Sequence, residues 1–177
     1  MLTDLGLRLK IVPADLPEIP HLREDPASFS KRMAEEKAVI VSSLYPDHWI
    51  LGADTVVVLG EKILGKPKNS LEAKRFLRLL SGQTHRVITG FCLRHRGLNR
   101  SYTRSVSTLV TFKDLSPEEI DWYTQTGEAG DKAGAYAIQG RGAFCVKKIR
   151  GSYTNVVGLP VTEVLEALEK MAGFRMK

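Results

Sequence analysis

Hydrophobic residues recur at two spacings along this chain, three or four apart in some stretches and two apart in others, with Gly, Pro, Asn and Ser at the changeovers. Leu2, Leu5 and Leu7 have the spacing of a helix tail, and Leu9 to Val12 read as a short strand. Asp25 followed by Pro26 predicts an N-cap and first-turn proline for a helix running to about Leu44. Its inward stripe would be Phe29, Met33, Ile40 and Leu44. Lys37 falls on the same line, where a lysine must either snorkel or meet an anion, and spacing alone favours snorkelling. Trp49 to Leu51 and Thr55 to Leu59 have strand composition, and Gly60-Glu61 predicts a turn into a second strand ending at Leu64. A helix follows from Ser70 to Leu80, opened near Asn69-Ser70 and closed by Gly82. His85 to Leu93 and Tyr102 to Phe112 read as strands, the latter alternating at Val106, Thr108, Val110 and Phe112. Ser116, Pro117 and Glu119 spell a capping box for a helix stopped at Gly127. The last helix, Val161 to Met171, turns Val161, Val164, Leu165, Leu168 and Met171 inward. Early alternation of strands and helices followed by a meander of strands predicts an α/β domain with a mixed, twisted sheet and flanking helices.

Composition narrows what such a domain does. The 177 residues suit one domain and repeat at no period of about 20 to 50 residues. A net charge of +6 attracts polyanions, whether nucleic acid, anionic lipid or nucleotide phosphates. No apolar stretch reaches the ~20 residues of a membrane span and the first residues lack the order of a signal peptide, so a cytoplasmic protein with no membrane partner is expected. Cys92 and Cys145 lie in strand-like runs without metal-ligand spacing and are expected as reduced, packed thiols. The four histidines form no HxxxH pair and no GxSxG elbow is present, which argues against zincin and serine-hydrolase chemistry. Arg94, Arg96, Arg100 and Arg104 flank one predicted turn, either as solvated charge or as a nucleic-acid contact.

The candidate chemistry centres on "GADTVVVLGEKILGKP", where Asp54 precedes the apolar run Val56 to Leu59. A carboxylate there costs several kcal/mol unless donors, cations or a metal meet it. Lys66 follows twelve residues later, and a hairpin would return it to that neighbourhood. With Lys37 these groups suit Mg²⁺ or Mn²⁺ and phosphate oxygens. A plain Asp54–Lys66 salt bridge fits the spacing equally well. Gly130 to Pro160 holds six of the chain's 15 glycines within 31 residues. Asp131, Lys132 and Gln139 sit among them, and a glutamine amide can read a base edge or simply stand exposed on a Gly-rich turn.

The stretches "AEEKA", "GADTVVVLGEKILGKP", "LSGQTHRVITG" and "DKAGAYAIQGRGAFCVKKIRGSYTNVVGLP" resemble, in order and over most of the chain, the Maf family of nucleoside triphosphate pyrophosphatases. The resemblance implies an α/β fold like that of inosine triphosphate pyrophosphatases, two lobes around a cleft, and usually a homodimer. It implies cleavage of a nucleoside triphosphate between its α and β phosphates, with a divalent metal, giving NMP and pyrophosphate. By the same likeness Asp54 is the proton acceptor, and Lys66 and Lys37 bind phosphates, which reverses the snorkelling preference. Glu18 is an acid near the metal, so Asp54 and Glu18 would hold it. Thr55 and Gln139, with Lys132, face the substrate, the first two selecting the base. "DKAGAYAIQG" is similar to the subgroup acting on dTTP and UTP. Family members begin with a strand and a Ser-Pro-Arg-Arg loop, whereas this chain opens inside the helix that follows. The expectation is therefore a single Maf-like domain over residues 1–177, shortened at its N-terminus. The alternative is a catalytically impaired homologue that binds nucleotides, or nucleic acid through the Arg94 to Arg104 loop.

Overall fold

A computed structural model describes residues 1–175. Five strands, β1 (Ile50–Leu59), β2 (Lys62–Leu64), β3 (Thr84–His95), β4 (Arg100–Phe112) and β5 (Val146–Arg150), form one sheet in the order β2-β1-β3-β4-β5. β1 pairs antiparallel with β2 (Val58 opposite Ile63), and β4 antiparallel with β5 (Val110 opposite Ile149). β3 and β4 are joined by four residues, a connection that suits an antiparallel pair. The helices are α1 (Pro26–Leu44), α2 (Ser70–Leu80), α3 (Pro117–Gln125), the short α4 (Tyr153–Val157) and α5 (Val161–Ala172). The α/β class is as expected, and the pairs just described are antiparallel.

The chain divides into two compact units. The first takes Met1–Asp54, Thr89–Ser105 and the chain from Leu159; the second takes Thr55–Ile88 and Val106–Gly158. In the first, α1 starts where expected, with Asp25 Oδ1 accepting from the Ala27 and Ser28 amides at 3.0 and 3.1 Å. Its buried side differs from the expected stripe: Phe29 and Met33 are inside, but Ile40 and Leu44 are 41% and 67% exposed. Ser30, Ala34, Ala38, Val41 and Ser42 are buried instead. The cause is backbone contact. A Cβ at Gly52 would stand 2.2 Å from the Ala34 carbonyl oxygen, and one at Gly90 2.3 Å from the Ser30 carbonyl, so α1 must turn its small residues toward these strands. The predicted strand at Leu9 to Val12 does not form. After a single 3₁₀ turn (Thr3–Leu5) the segment pairs with no strand, and Ile11 is 90% exposed. Of the arginines flanking the β3–β4 turn, Arg94 donates to Ser42 Oγ at 3.2 Å, Arg100 lies 5.9 Å from the Trp49 ring centre, and Arg104 pairs with Glu166 at 3.7 Å.

The second unit holds a core of Val57, Leu64, Phe76, Leu77, Val87, Phe112, Ile120 and Tyr123, with Tyr136 and Cys145 closing it. Asn69 caps α2, and Ser116 with Glu119 completes the capping box of α3. Cys145 ends a 3₁₀ turn (Gly140–Cys145) rather than sitting in a strand; it and Cys92 are free and buried. The separate runs at Trp49 to Leu51 and Thr55 to Leu59 are one strand, because Gly52 and Ala53 continue the pleat. No helix among the described residues is long and apolar enough to cross a membrane.

Candidate active site

Strand alternation positions Asp54. Gly52, Asp54, Val56 and Val58 are the buried positions on one face of β1, so Asp54 is mid-strand and not at its start, and is 8% exposed. Gly52, two residues earlier on that face, lets Ala34 and Ala38 lie against the strand backbone. Lys37, adjacent to Ala38 on α1, is thereby delivered beside the carboxylate: its Nζ donates to Asp54 Oδ1 at 2.7 Å and to Glu18 Oε1 at 2.6 Å. Burial pushes the Lys37 ammonium down, but the hydrogen bonds to Asp54 and Glu18 outweigh it and hold the group above the ordinary lysine value. Lys37 therefore meets anions, and the snorkelling favoured by spacing is overturned. A buried carboxylate that would cost several kcal/mol alone is matched by charge-assisted hydrogen bonds.

The remaining expected site residues belong to the second unit. Thr55, pointing to the opposite face of β1, donates from Oγ1 to the Gly158 carbonyl at 3.3 Å. Lys66 is exposed just after Gly65, whose carbonyl accepts from the Gly134 amide at 3.0 Å. Gly134 has φ +69° and its missing Cβ would press on Val57 at 2.9 Å, so only glycine lets the Gly-rich segment lie flat here. That docking brings Asp131 and Lys132 toward Lys66. Lys132 Nζ contacts both Asp131 oxygens at 2.7 Å, and it, with Lys66 contributing, holds the Asp131 carboxyl below the usual carboxylate range. Gln139 is exposed at the entry to the turn Gly140–Cys145. The structure thus gathers Glu18, Lys37 and Asp54 in one unit, and Lys66, Lys132 and Asp131 in the other. Thr55 is placed by its bond to the Gly158 carbonyl, and Gln139 by its position just before the turn Gly140–Cys145. Sequence reasoning passed over Arg32, which pairs with Glu24 on the chain before α1; its spacing to Glu36 on the helix was the only available signal.

The donors of the first group fit a hard divalent cation. Oxygens of Glu18 and Asp54 already converge within 2.7 Å of one cationic atom, Lys37 Nζ. Among the described residues no group of three or more His, Cys, Asp or Glu side chains could hold a metal. Two carboxylates completed by water and substrate phosphate oxygens is the pattern Mg²⁺ adopts with nucleotides.

Comparison with known proteins places the chain in a family. The Maf-like protein family profile matches residues 1–171. A dTTP/UTP pyrophosphatase of Syntrophus aciditrophicus is 46% identical over 167 residues, which are 94% of this chain and 82% of that protein. One from Myxococcus xanthus is 46% identical over 170 residues, 96% of this chain and 85% of its own. One from Anaeromyxobacter dehalogenans is 48% identical over 176 residues, 98% and 88% of the two chains.

Proposed function

The chain belongs to the Maf family, and from that premise we propose that it is a nucleoside triphosphate pyrophosphatase that hydrolyses dTTP and UTP to NMP and pyrophosphate. The observation that carries the reading is the buried Asp54 carboxylate clasped by Lys37 together with Glu18. It is supported by the 46% to 48% identity with proteins bearing that activity in their names.

In this reading Asp54 takes a proton from water as the water oxygen bonds to the α phosphorus. The bond from that phosphorus to the bridging oxygen breaks, and pyrophosphate leaves with the bonding pair. Lys37 and Lys66 neutralise phosphate oxygens, and Lys37 also orients the Asp54 carboxylate. A bound Mg²⁺ or Mn²⁺, held by Asp54 and Glu18, would supply further charge stabilisation to the phosphates. Lys132 binds the substrate, and Thr55 and Gln139 select the base, where one amide and backbone groups can read the O2, N3–H and O4 edge shared by uracil and thymine. The free cysteines favour a reducing, cytoplasmic setting. A homodimer is supported by the exposed Val39, Ile40 and Leu44 of α1.

The test is pyrophosphate release from a panel of nucleoside triphosphates with Mg²⁺ or Mn²⁺. Release is expected from dTTP and UTP ahead of ATP, GTP and CTP, and Asp54→Asn should lower kcat by ~10²-fold or more. No release from either pyrimidine nucleotide, or an unchanged rate in Asp54→Asn, sinks the reading.

A further inference from the structure

Glu18 reaches Lys37 from a stretch of chain that packing does little to hold. Ile11, Ile19 and Leu22 around it are 90%, 67% and 94% exposed. A cavity of about 450 Å³, lined by Leu16, Arg32, Glu35, Glu36, Val39 and Ile40, remains open beside the stretch. Polar contacts hold the stretch: Lys37 meets Glu18 itself, and on the C-terminal side of Glu18 one side chain makes several of them. The Arg32 guanidinium grips Glu24 with two parallel bonds, Nε to Oε1 at 2.8 Å and Nη2 to Oε2 at 2.7 Å. Nη1 reaches Glu36 Oε1 at 3.1 Å, and Nη2 also donates to the carbonyl of Ile19, the residue after Glu18, at 3.0 Å.

The turn between Ile19 and Glu24 is shaped to be gripped. The His21 amide donates to Glu24 Oε2 at 2.9 Å, and the Glu24 amide to the His21 carbonyl at 3.1 Å. Arg23 sits at φ +61°, a left-handed conformation that a non-glycine residue keeps only where its surroundings impose it. Hydrogen bonding to Arg32 holds the Glu24 carboxyl down at about 2, so the grip persists at neutral pH.

We propose that Arg32 is a positioning residue: by clamping the Ile19 carbonyl and Glu24 to α1, it fixes Glu18 at the distance from Asp54 at which the two carboxylates share one cation. The inference rests on the proposed roles of Glu18 and Asp54 as a divalent-cation site. A planar fork with several directed donors is needed, because a lysine could satisfy Glu24 or the carbonyl but not both with parallel geometry.

The test is Mn²⁺ binding to the free, full-length protein, followed by electron paramagnetic resonance and calorimetry, so that it does not depend on turnover. Arg32→Met and Arg32→Lys are expected to weaken Mn²⁺ binding at least fivefold, and Glu24→Gln to act in the same direction. Glu18→Gln should weaken it at least as much, and adding Arg32→Met to Glu18→Gln should produce little further loss, because both act through one carboxylate. Hydrogen exchange should show residues 16–24 losing protection in Arg32→Met while α1 keeps its own. Folded Arg32 variants that bind Mn²⁺ as the wild type does would overturn the proposal, as would a Glu18→Gln protein with unchanged affinity. A wild type that binds Mn²⁺ but hydrolyses no pyrimidine triphosphate would refute the proposed reaction and leave the positioning role standing.

Discussion

Lys37 lowers the cost of burying Asp54, through a hydrogen bond of 2.7 Å from its Nζ to Oδ1. Removing the lysine takes a 2.7 Å charge-assisted hydrogen bond from a carboxylate that is 8% exposed, whereas removing both charges leaves two neutral groups of similar volume. Lys37→Met is therefore expected to lower unfolding free energy by about 2 kcal/mol, and Lys37→Met with Asp54→Asn to regain most of it, as read from urea denaturation. Equal destabilisation in the single and double variants would mean that Lys37 acts through packing alone. That Asp54 would be buried and met by a cation was legible from sequence, because an acid beside Val56, Val57 and Val58 is too costly without one. Lys37 was only half legible: helical spacing tells which way a side chain points, not what stands opposite it. Glu18 lies in an irregular segment with no periodicity to read, so only the resemblance drew attention to it.

Elements with capping chemistry were predicted almost to the residue, because caps are local. Ser116→Ala should cost α3 about 1 kcal/mol, since the hydroxyl accepts from the Glu119 amide at 3.2 Å. The inward side of α1 was misjudged because its cause is not local: Gly52 and Gly90, on two different strands, decide which residues of the helix can approach. Gly52→Ala, placing a methyl 2.2 Å from a carbonyl oxygen, is expected to cost at least about 2 kcal/mol and to weaken the Lys37–Asp54 contact as α1 is pushed outward. Gly65→Ala is the matched control, since a Cβ there meets nothing within 4 Å and should shift stability by no more than about 1 kcal/mol. Thermal melts of the two variants that coincide would remove close helix–strand approach as the reason for the glycine. β5 and α4 went unforeseen because each is only five residues long, too short for a period to show, and β5 finds its register only against β4.

At the scale of the whole chain, α/β character could be read from element order, but the two units could not. β1, β3 and β4 each pass from one to the other in mid-strand, at Asp54, Ile88 and Ser105, with no break in their strand pattern. Each unit nonetheless carries its own acid-sensitive group. In the second, His85 is 1% exposed, bonded through Nε2 to the Tyr136 hydroxyl at 2.8 Å and packed edge-on against Phe112. Burial lowers it from 6.5 to about 4. A depressed histidine binds its proton more readily unfolded, so its stabilisation is complete above pH 6.5 and is lost as pH falls toward 4, a swing of about 3 kcal/mol. In the first unit, hydrogen bonding to Arg32 lowers Glu24 from 4.5 to about 2, so that contribution is complete above pH 4.5 and fades only as pH falls toward 2. Acidification should therefore loosen the second unit before it releases the clamp on residues 19–24. Hydrogen exchange followed from pH 7 to pH 3 is expected to show residues 84–88 of β3, 106–112 of β4 and the Gly-rich segment losing protection between pH 6.5 and 4, with residues 19–24 following at lower pH. His85→Gln removes the first step, and its stability in urea should fall between pH 7 and 4 by about 3 kcal/mol less than that of the wild type. Parallel losses in the two proteins would show that the buried imidazole is not what makes the second unit sensitive to acid.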